Sequence, residues 1–391
     1  MKTLLCFLLL TLCLACSQLL HRSEKIRVVH YNIFELDSRK LKKLTPQLLA
    51  AKEVLAPLAF DFISINEIQY DLPGVPNESF KSTGQNLSQL MSFLKPQQSW
   101  FTSFYPANTG LKARRKANGE YTNSSGPKAR SYADQMNYGL FPAQYSSGLA
   151  SIRPVKKSLV INKLKWIDFN EALDLGAFKT AKGERLPRSL ELFDKNFVDT
   201  VIEVAEQEIH FITLHTVPAY HFGNKATPNY QRNRDQLAFL EWYLDSSVSS
   251  KEMKLTQRLA KRGISPLPKG AHFIAMGDWN TDINGNNPGS FILRRLFESM
   301  GAPIPTHVTH ESAGLKLKPF TMQLDYILSS PSLISLNQRV IRSRPASLKE
   351  GCTPEQLKES ECLTSASAEY KAQKTASDHF ALWAEFKFRR K

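Results

Sequence analysis

Short apolar runs, many of them rich in β-branched residues, recur along this chain between stretches of helical periodicity. Some runs alternate apolar and polar residues and others are continuously apolar, which is typical of strands buried on one or both faces of a mixed sheet. Helical spacing is clearest at Pro46 to Leu58, Asn86 to Leu94, Asn233 to Leu244 and Ser290 to Met300. The strand-like runs are Ile26 to Asn32, Phe60 to Asn66, Gly148 to Ile152, Leu159 to Trp166, Phe197 to Val204, Ile209 to His215, His272 to Gly277, Leu324 to Leu328 and Phe380 to Phe388. This alternation predicts a layered α/β domain.

The length and composition fit one large folded unit. The chain has 391 residues, 42% of them hydrophobic and 22% charged, which is enough for a sizeable core. We find no internal repeat and no linker between two cores, so we predict a single domain over residues 24–391. Beyond Leu20 no apolar run approaches the roughly 18 residues of a membrane-spanning helix. A polytopic membrane protein is therefore excluded.

The charge balance indicates the kind of partner. Lys and Arg number 51 against 36 Asp and Glu, a net charge of +15, which attracts nucleic acid, anionic lipid headgroups or phosphate esters. Between Asn108 and Arg130 the single acid is Glu120, and the basic residues are Lys112, Arg114, Arg115, Lys116, Lys128 and Arg130. This stretch predicts a mobile basic loop that contacts phosphates, with a merely solvated loop as the alternative.

The N-terminal residues predict export. A charged start precedes an apolar run from Leu4 to Leu14, which ends at small residues and is too short to span a membrane. We expect residues 1–15 to be a signal peptide and the protein to reach the periplasm or cell envelope, or to be secreted. Cys16 lies where a bacterial lipoprotein is lipidated, so a membrane tether through Cys16, simple cleavage and a retained anchor all stay open.

The cysteine count suits an oxidising compartment. Cys6 and Cys13 lie within the predicted signal peptide, which leaves Cys352 and Cys362 as an isolated pair besides Cys16. Such a pair in an exported chain predicts one disulfide that closes a short surface loop, and two free thiols are the alternative. Both cysteines belong to a polar excursion from residue 343 to residue 375, which we expect to serve stability.

Polar residues that can carry chemistry lie at the ends of the apolar runs repeatedly, either directly after a run or directly before it, where an α/β sheet delivers side chains to a common crevice. Any one of them alone is more simply a strand-end cap or a turn residue. Their recurrence in one chain favours a shared site instead. The residues are Asn32, Glu67, His215, Asp278, Asn280, Asp325, Asp378 and His379.

This set of side chains suits the hydrolysis of a phosphoester. Glu67 offers a hard oxygen ligand that can hold Mg²⁺ or Mn²⁺ against a phosphate oxygen. His379, oriented by Asp325, can take a proton from water, because an imidazole held by a carboxylate keeps its tautomer and titrates near neutrality. The remaining side chains can orient that water and the phosphate or donate to the leaving oxygen, and they are Asp278, Asn280 and His215.

In the order of its motifs the chain resembles the endonuclease/exonuclease/phosphatase superfamily, which includes deoxyribonuclease I, abasic-site endonucleases, neutral sphingomyelinases and inositol polyphosphate phosphatases. The matching motifs span residues 26–388. They are His30-Tyr31-Asn32-Ile33, Ile65-Asn66-Glu67-Ile68-Gln69, Gly148-Leu149-Ala150-Ser151-Ile152-Arg153-Pro154, Leu214-His215-Thr216, Met276-Gly277-Asp278-Trp279-Asn280, Leu324-Asp325-Tyr326-Ile327 and Ser377-Asp378-His379.

The resemblance implies a four-layered α/β sandwich, with two packed mixed β-sheets flanked by helices, and a metal-dependent phosphoesterase activity. It implies Mg²⁺ or Mn²⁺, with Ca²⁺ as a further choice, held by Glu67 with Asn32 and Asp378 close to the metal or the phosphate. It also implies three catalytic roles. Asp278 and Asn280 are expected on the side of the nucleophile, and His379 is expected to act as the general base with Asp325 as its partner. His215 matches a second catalytic histidine.

Three departures from the superfamily pattern bear on the site. Phe34 stands where some branches place a second metal-proximal acid. Arg153 is a candidate phosphate contact, but its strand reads Ser-Ile-Arg-Pro, so the assignment is ambiguous by one residue. No Glu precedes that strand to orient His215, whose partner is therefore open. Tyr145 or Gln144 fills that region and is a candidate substrate contact.

We therefore expect an exported, metal-dependent phosphodiesterase that acts as a monomer, with DNA as the favoured substrate and Lys112, Arg114 and Arg115 as phosphate contacts. No aromatic-rich platform for single strands is evident in the sequence. A phosphatase or a sphingomyelinase-type or phospholipase-type esterase of the same fold is the alternative enzyme. The alternative from another class is a non-catalytic protein that binds polyanions.

Overall fold

The computed structural model describes residues 25–389 except 70–83, 123–125, 181, 246–249, 313–319, 346–348 and 353–363. The predicted signal peptide, Cys16 and Cys362 lie outside the described residues, so export, lipidation and the disulfide stay predictions. Among the residues described, no helix is long and apolar enough to cross a membrane.

The described strands form two large sheets and one short ribbon. In chain order they are β1 (Ile26–Leu36), β2 (Phe62–Ile68), β3 (Phe101–Tyr105), β4 (Ser147–Ser151), β5 (Val155–Ile161), β6 (Phe197–Val204), β7 (Gln207–Leu214), β8 (His272–Asp278), β9 (His310–Glu311), β10 (Thr321–Met322), β11 (Asp325–Ser329), β12 (Leu333–Val340) and β13 (Leu382–Phe388). The six-stranded sheet has the order β12-β13-β1-β2-β4-β3, and the five-stranded sheet has the order β11-β8-β7-β6-β5. Both sheets are mixed, because β1 with β2 and β7 with β8 run parallel.

The helices begin at sequence signals that fix their first turns. The helices are α1 (Ser38–Lys43), α2 (Pro46–Leu55), α3 (Gln85–Leu94), α4 (Pro127–Arg130), α5 (Trp166–Phe169), α6 (Asn229–Leu244), α7 (Ser250–Ala260), α8 (Pro288–Ser299) and α9 (Ala368–Ala376). Thr45 and Asn287 cap α2 and α8 with their side chains, and a proline follows each cap at the first helical position. These caps satisfy backbone N–H groups that the helix itself leaves unpaired.

Apolar side chains divide the molecule into four layers. Between the sheets, Phe62 of β2 stacks on Phe211 of β7 with ring centroids 4.3 Å apart. On the outer face of the six-stranded sheet, Leu48 of α2 and Leu90 of α3 belong to one buried cluster with strand residues. On the outer face of the five-stranded sheet, Leu240 of α6 and Leu293 of α8 belong to a second buried cluster with strand residues. The predicted four-layered α/β sandwich is confirmed.

Some predicted elements need correction. The strand expected over Leu159 to Trp166 is wrong at its end, because β5 stops at Ile161 and Trp166 begins α5, with its indole donating to Asp235 at 2.7 Å. The polar excursion over residues 343–375 is not loop throughout, since α9 begins within it at residue 368. The basic stretch is folded where it is described, with the Arg114 N–H bonded to the Tyr132 carbonyl.

Candidate active site

The two sheets meet at one edge, where polar side chains at the strand ends face each other. Asn32 of β1 and Asn66 of β2 are register partners, and Asp325 of β11 lies opposite Asp278 of β8. The Asn32 amide donates to Glu67 Oε1 and to Asp278 Oδ2, each at 3.1 Å. The Asp278 N–H donates to Asn66 Oδ1 at 2.9 Å. These bonds bring residues from distant parts of the sequence into one crevice.

His379 and Asp325 are in direct contact, as the sequence predicts. His379 Nδ1 lies 2.7 Å from Asp325 Oδ2, and both side chains are buried. Burial lowers the pKa of His379, but the charges of Asp325 and Asp278 outweigh it and hold that pKa well above its usual value. For Asp325 burial works the other way, and His379 and His30 overcome it to bring the pKa below its usual value. The pair is therefore an imidazolium beside a carboxylate when no other charge is present.

His30 is a site residue that the sequence interpretation missed. His30 Nε2 lies 3.2 Å from Asp325 Oδ1, and His30 Nδ1 lies 3.4 Å from Ser64 Oγ. His30 is fully buried, so Asp325 holds one histidine on each carboxylate oxygen. The available signal was a histidine inside the otherwise apolar strand Arg27-Val28-Val29-His30-Tyr31, where a buried polar group needs a partner.

Glu67, His215 and Asp278 form a group with the donors of a cation site. Their ligating atoms all lie within 4.8 Å of one another. Burial, followed by the charges of Glu35 and Asp378, raises the pKa of Glu67 to about 8. Burial and the nearby Asp325 also raise the pKa of Asp278. Carboxylates crowded in this way ionise fully when a positive charge compensates them, so this donor set fits a hard divalent cation.

His215 is buried, and its Nδ1 makes no hydrogen bond in the described part of the chain. Its Nε2 lies 3.4 Å from Asp278 Oδ2. Burial, followed by the charges of Lys195, His379 and His30, lowers the pKa of His215 well below its usual value. His215 is therefore a neutral imidazole, which makes it a hydrogen-bond donor or acceptor without a charge of its own.

Glu35 is a second missed residue, and it lies with Phe34 on a bulge of β1. The β1–β2 register shifts between Asn32 and Leu36, and Phe34 and Glu35 both have positive φ, of 55° and 53°. This bulge leaves Phe34 40% exposed and puts the Glu35 charge close enough to raise the pKa of Glu67. An acid thus lies near Glu67 one residue after Phe34.

Gln144 and Tyr145 reach the site through Glu35. Gln144 Nε2 donates to Glu35 Oε1 at 3.3 Å, and its own Oε1 accepts from the Leu140 N–H at 2.6 Å. Tyr145 hydrogen bonds with Glu35, and burial with the charges of Glu35 and Glu67 raises its pKa well above the usual value. Both side chains are engaged with Glu35, and their role as substrate contacts stays a prediction.

Asp378 lies beside His310, the second histidine that the sequence interpretation missed. His310 Nε2 of β9 lies 3.6 Å from Asp378 Oδ2, and the His310 and His379 rings are 4.8 Å apart between centroids. Burial raises the pKa of Asp378, but the bond to His310 and the charge of His379 bring it below its usual value. Asp378 is therefore an anion at the edge of the crevice, close to His379 Nε2 at 3.9 Å.

Asn280 and several neighbours adopt backbone conformations that non-glycine residues rarely take. The φ angles of Glu67, Tyr145 and Asn280 are 62°, 69° and 47°. The Asn280 N–H donates to Asp278 Oδ1 at 2.9 Å, and its side-chain amide donates to the Thr216 carbonyl at 3.1 Å. Left-handed backbone at strand ends turns these side chains toward the crevice, a form of strain that gathers at functional sites.

Arg153 does not reach the crevice. β4 runs antiparallel to β2, so Ser147 pairs with Asn66 at the site while Ser151 pairs with Phe62 at the far end of the sheet. Arg153 follows Ser151 by two residues and lies about 20 Å of strand length beyond Ser147. The prediction that Arg153 contacts phosphate is wrong, because the motif carries it along β4 away from the catalytic edge.

The basic residues Lys112, Arg114 and Arg115 are exposed on a folded segment. The Arg115 guanidinium lies 4.1 Å from the centroid of the Tyr121 ring. The Lys112 N–H donates to Asp134 Oδ2 at 3.0 Å, which ties the segment to a later part of the same loop. The role of Lys112, Arg114 and Arg115 as phosphate contacts stays a prediction.

No protein-family model and no curated protein matches the sequence. Among solved structures, the chain is similar to an endonuclease/exonuclease/phosphatase family protein from Leptotrichia buccalis, with 13% identity, 93% of this chain and 100% of that chain covered, and a TM-score of 0.48. A protein of the same family name from Bacteroides thetaiotaomicron has 12% identity, 94% and 99% coverage, and a TM-score of 0.46. D. rerio TDP2 complexed with single strand DNA product has 12% identity, 93% and 99% coverage, and a TM-score of 0.44. At this level of similarity the activity has to be argued from the side chains themselves.

Proposed function

We propose that this chain is a metal-dependent phosphodiesterase of the endonuclease/exonuclease/phosphatase superfamily, with nucleic acid as its substrate. The observation that carries the proposal is the buried His379–Asp325 pair, whose free His379 Nε2 lies 3.8 Å from Asp278 Oδ2. A histidine oriented by one carboxylate and facing a second belongs to general acid–base chemistry. Glu67 beside Asp278 adds the donors for a cation that a phosphoester reaction uses.

The chain's own residues account for the proton transfer. In the neutral form of His379, which requires that positive charge offset the surrounding carboxylates, Nδ1 donates to Asp325. This bond fixes the tautomer and leaves Nε2 as the atom that takes a proton from the attacking water. Asp325 then stabilises the imidazolium that results. When bound, a divalent cation supplies positive charge that offsets Glu67 and Asp278 and the charge developing on the phosphate.

The other crevice residues have separate roles in the proposal. Asn32 and Asn280 present amide groups that position the phosphate and the water. His215 is neutral, so it can donate a hydrogen bond to the leaving oxygen without repelling the cation. Asp378 is an anion next to His379 and His310 that can support the metal or orient the base. Each role matches a position that the superfamily resemblance assigns.

The charge distribution favours nucleic acid over a small phosphoester. The net charge of +15 and the exposed Lys112, Arg114 and Arg115 suit a long backbone with many phosphates, whereas a phosphomonoester needs one contact. A phosphatase or a sphingomyelinase-type esterase with the same catalytic residues is the alternative. From the N-terminal residues we also propose an exported monomer, in the periplasm, at the cell envelope through Cys16, or secreted.

Turnover of bis(p-nitrophenyl) phosphate with Mg²⁺ or Mn²⁺ tests the chemistry, and duplex DNA tests the substrate. Replacing Lys112, Arg114 and Arg115 by Ser should raise KM for DNA and lower the slope of log KM against log salt by about 0.9 per lost phosphate contact. The small diester should be hydrolysed at an unchanged rate.

The matched control replaces Arg153, Lys157 and Lys387 by Ser. It removes the same charge from the ends of the sheets away from the crevice, and should leave both substrates unaffected. Absence of metal-dependent turnover of every diester tried would refute the phosphodiesterase. Equal effects of the two triple variants on DNA would remove the support for nucleic acid and favour the smaller substrates.

A further inference from the structure

Four aromatic rings form a continuous surface beside the crevice, which we call the aromatic array (Tyr220, His221, Phe222 and Tyr230). The Tyr220 and His221 rings are stacked, with centroids 5.2 Å apart and planes 9° apart. Phe222 meets Tyr220 edge to face at 5.0 Å, and Tyr230 lies 6.3 Å from His221. Three of these rings belong to consecutive residues, and Tyr230 joins them in the fold.

Two of the four rings in the array face solvent, and His221 and Tyr230 are partly buried. Tyr220 is 54% exposed and Phe222 is 68% exposed, and neither belongs to a hydrophobic core cluster. Grouped exposed aromatic side chains mark an interaction surface, whereas single exposed apolar residues are ordinary. Folding the array therefore leaves apolar ring surface that a ligand can cover.

Hydrogen bonds hold the array in place next to the catalytic residues. The Ala219 N–H donates to the Asn280 carbonyl at 3.1 Å, directly before Tyr220. The Asn229 amide at the start of α6 donates to the Tyr220 carbonyl at 3.0 Å. The Gly223 N–H donates to His221 Nδ1 at 3.1 Å. The same loop starts at His215, so the array is tied to two residues of the crevice.

We propose that the aromatic array is a base-stacking subsite that binds an unpaired nucleobase of the strand whose phosphodiester lies in the crevice. This inference rests on the proposed function and narrows its substrate to single-stranded or locally unpaired nucleic acid. Stacking on aromatic side chains needs an open base face, which base pairs in a duplex cover with their neighbours. Because every base has such a face, the subsite selects strand state and not sequence.

The surroundings of the array favour a nucleic acid over a lipid surface. Lys179 and Lys225 are exposed on the two segments that form its base, which are joined by a bond from the Lys179 N–H to the Ala226 carbonyl at 3.0 Å. Two of the rings carry a phenol and one is an imidazole, so the surface has polar edges that suit a base. Positive charge beside stacked rings is the usual combination in proteins that bind single strands.

The test compares a Tyr220→Ala and Phe222→Ala double variant with the full-length wild-type protein on two forms of one oligonucleotide. For the single strand, KM should rise by about tenfold or more, in line with the loss of a stacked base. For the duplex KM should change less than about threefold, and turnover of bis(p-nitrophenyl) phosphate should stay as in wild type. Phe291→Ala is the matched control, since Phe291 on α8 is 58% exposed and packs against Arg294 instead.

Binding of a fluorescent single strand without added metal provides a second readout that needs no turnover. The double variant should bind it about tenfold more weakly, and the control should bind as wild type. Three results for the double variant would overturn the subsite. They are an unchanged affinity for the single strand, an equal loss of affinity for the duplex, and a loss of binding to phosphatidylglycerol vesicles without a loss of binding to the oligonucleotide. If the wild-type protein does not hydrolyse the small diester, the proposed activity is refuted. The binding measurement still shows whether the aromatic array binds a single strand.

Discussion

The crevice has a buried floor and an exposed rim, and the two differ in how their residues are held. The floor (Asn32, Asp278, Asp325 and His379) is buried, and its side chains bond to one another across the two sheets. The rim is the aromatic array, where Tyr220 and Phe222 are exposed, and we propose that the exposed basic segment 112–115 extends it. The residues proposed for the reaction therefore differ from those proposed to select the substrate. We expect floor variants to change kcat and rim variants to change KM.

The largest expected effect comes from the floor. His379→Ala should lower kcat about 10²- to 10⁴-fold, and with Asp325→Ala the double loss should be far smaller than the product of the single losses, since the pair acts as a unit. The measurement is kcat per folded protein on the small diester. His210→Ala is the matched control, because His210 makes a similar 2.7 Å contact with Asp199 away from the crevice. Multiplicative losses, or a His379→Ala kcat within about threefold of wild type, would contradict the floor assignment.

His30→Ala should have an intermediate effect on kcat, smaller than that of His379→Ala. It distinguishes a positioning residue of the floor from a catalytic one. His30 does not face the substrate, so as a positioning residue it should lower kcat by about tenfold at constant KM. Loss of its bond makes Asp325 more basic and raises the pKa of His379, so the acidic limb of the pH–rate profile should move to higher pH.

A merely structural role for His30 predicts another outcome. His30→Ala would then lower the melting temperature and leave both the pH profile and kcat of the folded fraction unchanged. His30→Asn, which keeps a donor, should recover part of the wild-type pH profile. Failure of that recovery together with an unshifted profile would place His30 outside the mechanism.

The smallest expected effect is thermal and concerns Glu67. Its pKa is about 8 in the folded protein against 4.5 ordinarily, so without metal the folded state binds the extra proton between these values. Stability should therefore fall as pH rises through that window, and Mg²⁺ should raise the melting temperature more at pH 8 than at pH 5, by about 3 °C or more. Glu67→Gln should flatten both dependences in calorimetry. An unchanged Mg²⁺ response in Glu67→Gln would exclude Glu67 as a ligand.

Much of the floor could be predicted from the sequence because strand ends are local features. Glu67 and Asp278 follow apolar runs and Asp325 precedes one, and this places all three side chains at a sheet edge before any long-range contact is known. His30 and Glu35 could not be found in this way. His30 becomes a partner of Asp325 only when distant strands meet. Glu35 reaches the site through a β-bulge, which the two-residue period of a regular strand does not predict.

The rim and the sheet margins were hard to predict for the opposite reason, since packing leaves little trace in their sequence. β12 exposes most of its residues at the edge of its sheet, and α9 has a polar sequence, so neither shows a clear apolar period. The Tyr220-His221-Phe222 run lies between a predicted strand and a predicted helix, and no pattern in the sequence marks it as a surface. Arg153 shows the limit of motif transfer, because the direction of β4 decides which end of a matching segment meets the site.

The left-handed residues around the crevice bear on how the protein could be engineered. Phe34, Glu35, Glu67, Tyr145 and Asn280 hold positive φ without being glycine, at a cost of order 1 kcal/mol each. A mutant library sorted for heat resistance alone will accumulate glycine at such positions, and Glu67→Gly would discard a carboxylate while it relaxes the chain. Selection for heat resistance and selection for turnover therefore favour different residues at these five positions. Durable variants should be sought on the surfaces far from the crevice, where the two selections agree.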